Sequence, residues 1–206
     1  TPGLNVTLDV GQNQLDEVAG LTALADDLKA AGIDDVRINL DLGVDAAGTL
    51  AASSNPNTNT NLDAIFGGTN ADNLTNLGAL DRTGLNVTLD VGGTGNNAHA
   101  QLSDTLASNL VAAGLDFAQD DFLTVQGGGT DGTGTSLSTS LKDLQKLGID
   151  AVSFSGTGEE INLSLGEGAA LGAGGLGNLF TTPGLNVTLD VGQNQLDEVA
   201  GLTALA

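Results

Sequence analysis

Cysteine, tryptophan and tyrosine are absent from the 206 residues, and histidine occurs once, at His99. Without cysteine no disulfide can hold the fold, and with no His/Cys cluster there is no transition-metal site of the zinc type. A Ser-His-Asp arrangement would have to use His99, which reads as an exposed structural side chain at a polar helix start. The aromatic residues are five phenylalanines, 2% of the chain, so the core must be built from Leu, Val, Ile and Ala. Basic residues are scarce: five Lys and Arg stand against 26 Asp and Glu, a formal net charge of −21. That surface repels nucleic acid and anionic membranes, and favours divalent cations or plain hydration. No apolar run approaches the ~20 residues that a membrane-spanning helix needs.

What is present is dominated by a duplication. Residues 1–25, TPGLNVTLDVGQNQLDEVAGLTALA, recur unchanged at 182–206, an offset of 182 − 1 = 181 residues. A shorter echo, TGLNVTLDVG, occupies 83–92. Residues 1–181 therefore read as one repeat period, with possible sub-units 1–82 and 83–181, and 182–206 as the start of the next identical repeat. Because the chain opens mid-repeat at Thr1, it is expected to be a segment of a longer array.

Within the duplicated stretch, Leu4, Val6, Leu8 and Val10 alternate with polar residues, the period-two pattern of a strand with one buried face. Leu185, Val187, Leu189 and Val191 repeat it, and the two strands form the expected assembly junction. Asn13, with Asp16 three residues on, is a candidate helix cap. The helix is expected over 14–31, with Leu21, Leu24, Leu28 and Ala31 on its apolar stripe and Gly32 as a left-handed C-cap. A second strand follows through Val36, Ile38, Leu40 and Leu42, making a β-α-β unit. Residues 45–61 read as a polar loop. Further helices are expected over 70–80, 101–113 and 137–147, the last capped by Ser136, with strands at 84–91 and 121–126. The ending Ala/Leu-Gly-Ile/Leu-Asp recurs at 31–34, 113–116 and 147–150, each time before a strand. The last introduces a hairpin, 151–155 with 161–165, around Gly156-Thr157-Gly158. Alternating strands leave one sheet face polar, so the expected fold is α+β: a two-layer α/β arrangement of a mixed sheet with helices on one face, repeated in tandem.

Chemistry-bearing motifs are few. The turn Gly93-Thr94-Gly95-Asn96-Asn97-Ala98 has the strand-to-helix setting of a dinucleotide-binding turn, but in so Gly-rich a chain the match is unspecific, and the equivalent turn Gly11-Gln12-Asn13-Gln14 lacks the glycines. The run 127–135 reads as a flexible linker. Asn5, Asn73, Asn86, Asn162 and Asn186 each begin an Asn-x-Thr/Ser triplet, the glycosylation acceptor pattern. No constellation points to an enzyme.

Two consecutive nine-residue stretches, 58–66 and 67–75, resemble the calcium-binding repeat of RTX proteins, GGxGxDxUx. Asp63 and Asp72 fall on its aspartate and Ile65 and Leu74 on its apolar position, while Asn61 and Asn70 replace a glycine. The resemblance implies calcium held by Asp63, Asp72, Asn61 and Asn70 in an oxygen cage. In overall style, the acidic, cysteine-free, Gly/Asn/Thr/Asp-rich array resembles the repeat region of giant bacterial surface adhesins or biofilm-matrix fibres. That implies an extracellular, cell-surface structural protein whose partners are neighbouring copies of itself and surface polysaccharide, with reach and avidity coming from repetition. The alternative is a calcium-responsive module that binds carbohydrate or ice through the polar Asn/Thr/Asp strand face.

Overall fold

A computed structural model describes residues 6–40, 42–44, 50–52, 60–67, 71–91, 99–118, 121–127, 137, 139–154, 160–164, 179–180 and 186–190. The alternating stretch at the start forms strand β1 (Val6–Gly11). The expected single helix after it is broken into a 3-10 turn (Gln12–Glu17), α1 (Val18–Ala23) and α2 (Ala25–Ala30). The break falls at Leu24, whose amide bonds the Leu21 carbonyl in the tighter i→i−3 pattern, after a stretch weakened by Gly20. Leu24 is consequently 49% exposed rather than part of an apolar stripe, and Ala31 is exposed too, while Leu21 and Leu28 do pack on the core. Asn13 is not the cap: it lies inside the 3-10 turn, and the Gly11 amide is held by the Gln14 side chain at 3.2 Å.

The chain continues through β2 (Ile33–Asn39) and an antiparallel pair, β3 (Leu42–Val44) with β4 (Leu50–Ala52). Next come β5 (Thr60–Asn61), α3 (Leu62–Phe66), α4 (Ala71–Asp81) and β6 (Asn86–Asp90). β7 (His99–Ser103), α5 (Asp104–Ala113), β8 (Asp116–Phe117), β9 (Phe122–Gly127), α6 (Leu141–Leu147) and β10 (Ala151–Phe154) follow. β11 (Glu160–Ser164) and β12 (Asn186–Asp190) close the described chain. Segment 45–61, expected to be loop, thus contributes β4 and β5. The last long helix starts four residues later than expected: Ser140, not Ser136, caps it, its Oγ accepting the Asp143 amide at 3.2 Å. Gly32, Gly114 and Gly148, in the three recurrent endings, all take left-handed φ of +84° to +87°, which a side chain resists.

The mixture of helices and sheets agrees with the sequence; the single mixed sheet does not. Two separate four-stranded sheets form instead, ordered β1-β2-β6-β8 and β10-β9-β7-β5, and every pairing in both is parallel. In each sheet the strands are laid down in chain order. From β5 to β9 the chain alternates between them: out along a strand of the second sheet, through helix, back along the first. A return of this kind makes neighbouring strands parallel. On one face of the first sheet Thr7, Asp9, Arg37 and Asn86 remain exposed, so that face is polar although its strands are parallel. The anticipated hairpin is absent as well, since β10 pairs with β9 and β11 pairs in parallel with β12.

One continuous apolar core joins Ile38, Leu89 and Phe117 of the first sheet, Leu102, Val125 and Val152 of the second, and Leu77, Leu110 and Leu144 of the helices. It runs through residues on both sides of the 82/83 boundary. Where α4 meets α5, Gly78 lies so close to Ala113 that an added Cβ would come within 3.0 Å of it. The Phe154 ring covers Gly127 and stacks on Phe180, centroids 6.4 Å apart.

Candidate assembly junction and polar strand face

Register aligns the first sheet into rows: Leu8–Val36–Val87 and Val10–Ile38–Leu89–Phe117 alternate with Thr7–Asp35–Asn86, Asp9–Arg37–Thr88–Asp116 and Gly11–Asn39–Asp90. The apolar rows face the core. In the polar rows, Arg37 ties two strands at once, with Nε 3.0 Å from Asp9 and an Nη 3.2 Å from Asp90. Asn39 donates to Asp9 at 3.3 Å and Asn86 to Asp35 at 3.0 Å. Arg37 and Asp9 are solvated, so each such pair contributes about 0–1 kcal/mol and is weakened by salt. The face is an array of carboxylates, amides and hydroxyls, several of them bonded across the strands. At its far margin, partial enclosure and then the charge of Asp81 raise the pKa of Asp116 above 3.8, against the opposing pull of Lys146.

Of the junction residues, Val6, Leu8 and Val10 lie in β1, with Val6 and Leu8 half-buried and Val10 buried. β1 forms the margin of its sheet, paired among the described residues with β2 alone. Val187 and Leu189 lie in β12, opposite Ile161 and Leu163 of β11. Leu163 is 3% exposed and belongs to the common core. Leu4, Leu185 and Val191 lie outside the described residues.

Of the residues matched to the calcium repeat, Asp63 and Ile65 lie in α3 and Asp72 and Leu74 in α4. Asn61 caps α3, its side chain accepting the Asp63 amide at 3.0 Å. Asp63 faces inward and accepts from both the amide and the hydroxyl of Ser103, at 2.7 and 2.5 Å. Asp72 is exposed in the first turn of α4, and Asn70 lies outside the described residues. No group of three or more His, Cys, Asp or Glu suited to a metal occurs among the described residues. The backbone of His99 begins β7 rather than a helix, opposite Phe122. Asn73 of the glycosylation triplets is buried in α4. The glycine turn at 93–98 and most of the run 127–135 lie outside the described residues.

Asp63 belongs to a set of bonds that sequence reasoning missed. Asp104 accepts the Thr139 amide at 3.1 Å, Asp121 the Val91 amide at 2.9 Å and Asp150 the Leu123 amide at 2.9 Å. Partners are 27 to 40 residues apart, so each carboxylate latches one pass of the chain to another. Bonds to an ionised acceptor are the stronger kind, about 1.5–3 kcal/mol each. Part of the acidity thus serves the fold. Of the four, only Asp150 belongs to the recurrent Gly-Ile/Leu-Asp ending. An open depression of about 400 Å³ lined by Phe66, Leu74, Gly78, Arg82, Asn109 and Ala113 lies beside the helices, with Arg82 its one charged residue.

No protein-family model matches the chain, and neither a curated protein nor a solved structure matches it.

Proposed function

We propose that the chain is a structural repeat of an extracellular fibre or adhesin. Repetition of the unit gives reach and cohesion at a cell surface or in a biofilm matrix, and multivalent attachment, with surface polysaccharide as the outside partner. The observation that carries this reading is the identity of residues 1–25 and 182–206, together with the pairing of β12, the second copy's strand, onto β11 of the period before it. A strand of one copy engaged by its predecessor is what a cohesive array requires. The parallel latches and single core favour a stiff unit over a flexible bead.

The test is length. Chains of one, two and three periods, measured by small-angle scattering, should gain a constant increment in maximum dimension per period. Growth as the square root of period number, the behaviour of flexibly linked beads, rejects the reading. Protease shaving of producing cells should release the array if it lies at the surface.

A second reading, a calcium-responsive module binding carbohydrate or ice, is favoured by the polar rows Thr7–Asp35–Asn86 and Asp9–Arg37–Thr88. Calcium titration calorimetry with melting scans, with and without chelator, checks it. A scaffold indifferent to calcium shows neither heat nor shift, whereas a responsive module melts higher with the ion.

A further inference from the structure

We infer that residues 160–164 of one copy supply the outer neighbour of β1 in another copy, so that a five-stranded parallel sheet, β11-β1-β2-β6-β8, crosses the boundary between copies. The inference rests on the array reading above and specifies its joint.

Three observations converge on it. First, β12, Asn-Val-Thr-Leu-Asp, has the same sequence as residues 5–9. Its pairing with β11 therefore states where β1 of a following copy docks: Ile161 opposite Val6, Asn162 opposite Thr7, Leu163 opposite Leu8 and Ser164 opposite Asp9 in copy numbering.

Second, from Thr7 onward, past the irregularity that β1 makes against β2 between Val6 and Thr7, that register continues the rows of the first sheet. Leu163 extends the apolar row Leu8–Val36–Val87. Asn162 extends the polar row Thr7–Asp35–Asn86, and Ser164 extends Asp9–Arg37–Thr88–Asp116. A shift of one residue would set every apolar position against a polar one. Both sheets also add strands in chain order, so β11, preceding β12, belongs on the side away from β2.

Third, β1 is under-covered for its sequence. Val87 and Leu89 of β6, flanked on both sides, are 1% and 0% exposed, while their counterparts Val6 and Leu8 are only half-buried. Among the described residues the outer edge of β1 has no strand partner, and strand addition is the way a parallel edge with half-buried valine and leucine is completed.

Two copies of this strand in the 206-residue chain have a consequence. β12 occupies β11 from within, so a second chain's β1 is excluded by competition. Tethered at an effective concentration on the order of a millimolar, β12 outcompetes a second chain at about 10 µM roughly a hundredfold. Blocking β12 should therefore turn a monomer into head-to-tail oligomers.

The absence of native cysteine makes cross-linking unambiguous. In the full chain, Asn162→Cys with Thr188→Cys should close an intramolecular disulfide on mild oxidation, since directly opposed strand positions lie within bridging distance. Val187→Pro then removes a ladder donor from β12. A chain carrying V187P and N162C, mixed with one carrying Thr7→Cys, should give an intermolecular N162C–T7C product at least about tenfold above the same mixture without V187P. A peptide of residues 1–25 should suppress that product, and a scrambled peptide should not. Retained circular dichroism in V187P confirms that the rest of the chain is folded.

Failure of the N162C/T188C bridge overturns the register. A folded V187P chain that stays monomeric and gives no N162C–T7C product overturns the exchange. Cross-linking that succeeds while the scattering increment fails leaves the joint standing and rejects the fibre; the reverse result rejects this joint alone.

Discussion

The four residues Val-Thr-Leu-Asp occur twice in the first sheet, at 6–9 in β1 and at 87–90 in β6, and each residue is better covered in the second place. Val87 and Leu89 are buried where Val6 and Leu8 are half-buried; Thr88 is half-buried where Thr7 is exposed. Asp90 has a side-chain exposure of 13%, Asp9 one of 39%. Since the side chains are identical, the difference comes from place: among the described residues β6 lies between β2 and β8 and β1 has β2 alone, and Val6 lies opposite Ile33 where Val87 lies opposite Val36, further along the sheet. Burial, and with it the stability a strand contributes, belongs to its place in the sheet more than to its sequence. The pair also shows the margin of the first sheet to be an incomplete version of its middle.

The sharpest way to break this comparison is truncation at equivalent positions. Leu89→Ala should cost about 3 kcal/mol and Leu8→Ala about 1 kcal/mol, read by urea denaturation of each variant. Equal losses would mean that β1 is already covered. In a chain carrying a preceding copy, the Leu8→Ala loss should climb toward that of Leu89→Ala.

Next in size is the latch between passes. Asp63→Asn leaves the Ser103 amide and hydroxyl without their ionised acceptor and should cost about 2 kcal/mol. Because the carboxylate is already engaged inside the fold, the loss should be the same with calcium or chelator present. A loss confined to calcium-containing buffer would instead mark Asp63 as an ion ligand.

Gly114→Ala comes third. Its φ of +84° resists a side chain, so about 1 kcal/mol should be lost. Full stability in thermal melts would deny the left-handed cap.

Arg37→Ala has the smallest expected effect, about 0.5–1 kcal/mol, although it severs Asp9 and Asp90 together. Its loss should fade in high salt, and Asp90, the better covered twin, should carry most of what remains.

Asp116 gives a pH test with a definite sign. Its folded pKa is raised above 3.8, so the ionised form is the disfavoured one in the fold. The native state therefore loses stability from this group as pH rises through that value, and regains it below. Asp116→Asn should be more stable than the parent at neutral pH, and the advantage should vanish in urea titrations run below 3.8.

Much of the architecture was legible in local patterns. The strands at 6–11, 86–90 and 122–127 follow from two-residue alternation, and the left-handed turns at Gly32, Gly114 and Gly148 from a recurrent glycine ending. The break at Leu24 was not legible, because a stripe of leucines signals helix without revealing that a turn tightens. Nor were the latches: Asp63, Asp104, Asp121 and Asp150 look like solvating acids until partners 27 to 40 residues away arrive.

What the chain's order of residues determined alone is an acidic, cysteine-free composition, the positions of most strands and helices, and the recurrence of the first 25 residues 181 positions further on. These are properties of short windows and of string identity. Only the tertiary structure decided that the strands divide into two parallel sheets, that β11 joins β12 rather than β10, and that one Val-Thr-Leu-Asp is central and the other marginal. Alternation states that a strand has two faces. Which strand lies against either edge is set by the path the chain takes in returning, and by which return buries the most leucine and valine.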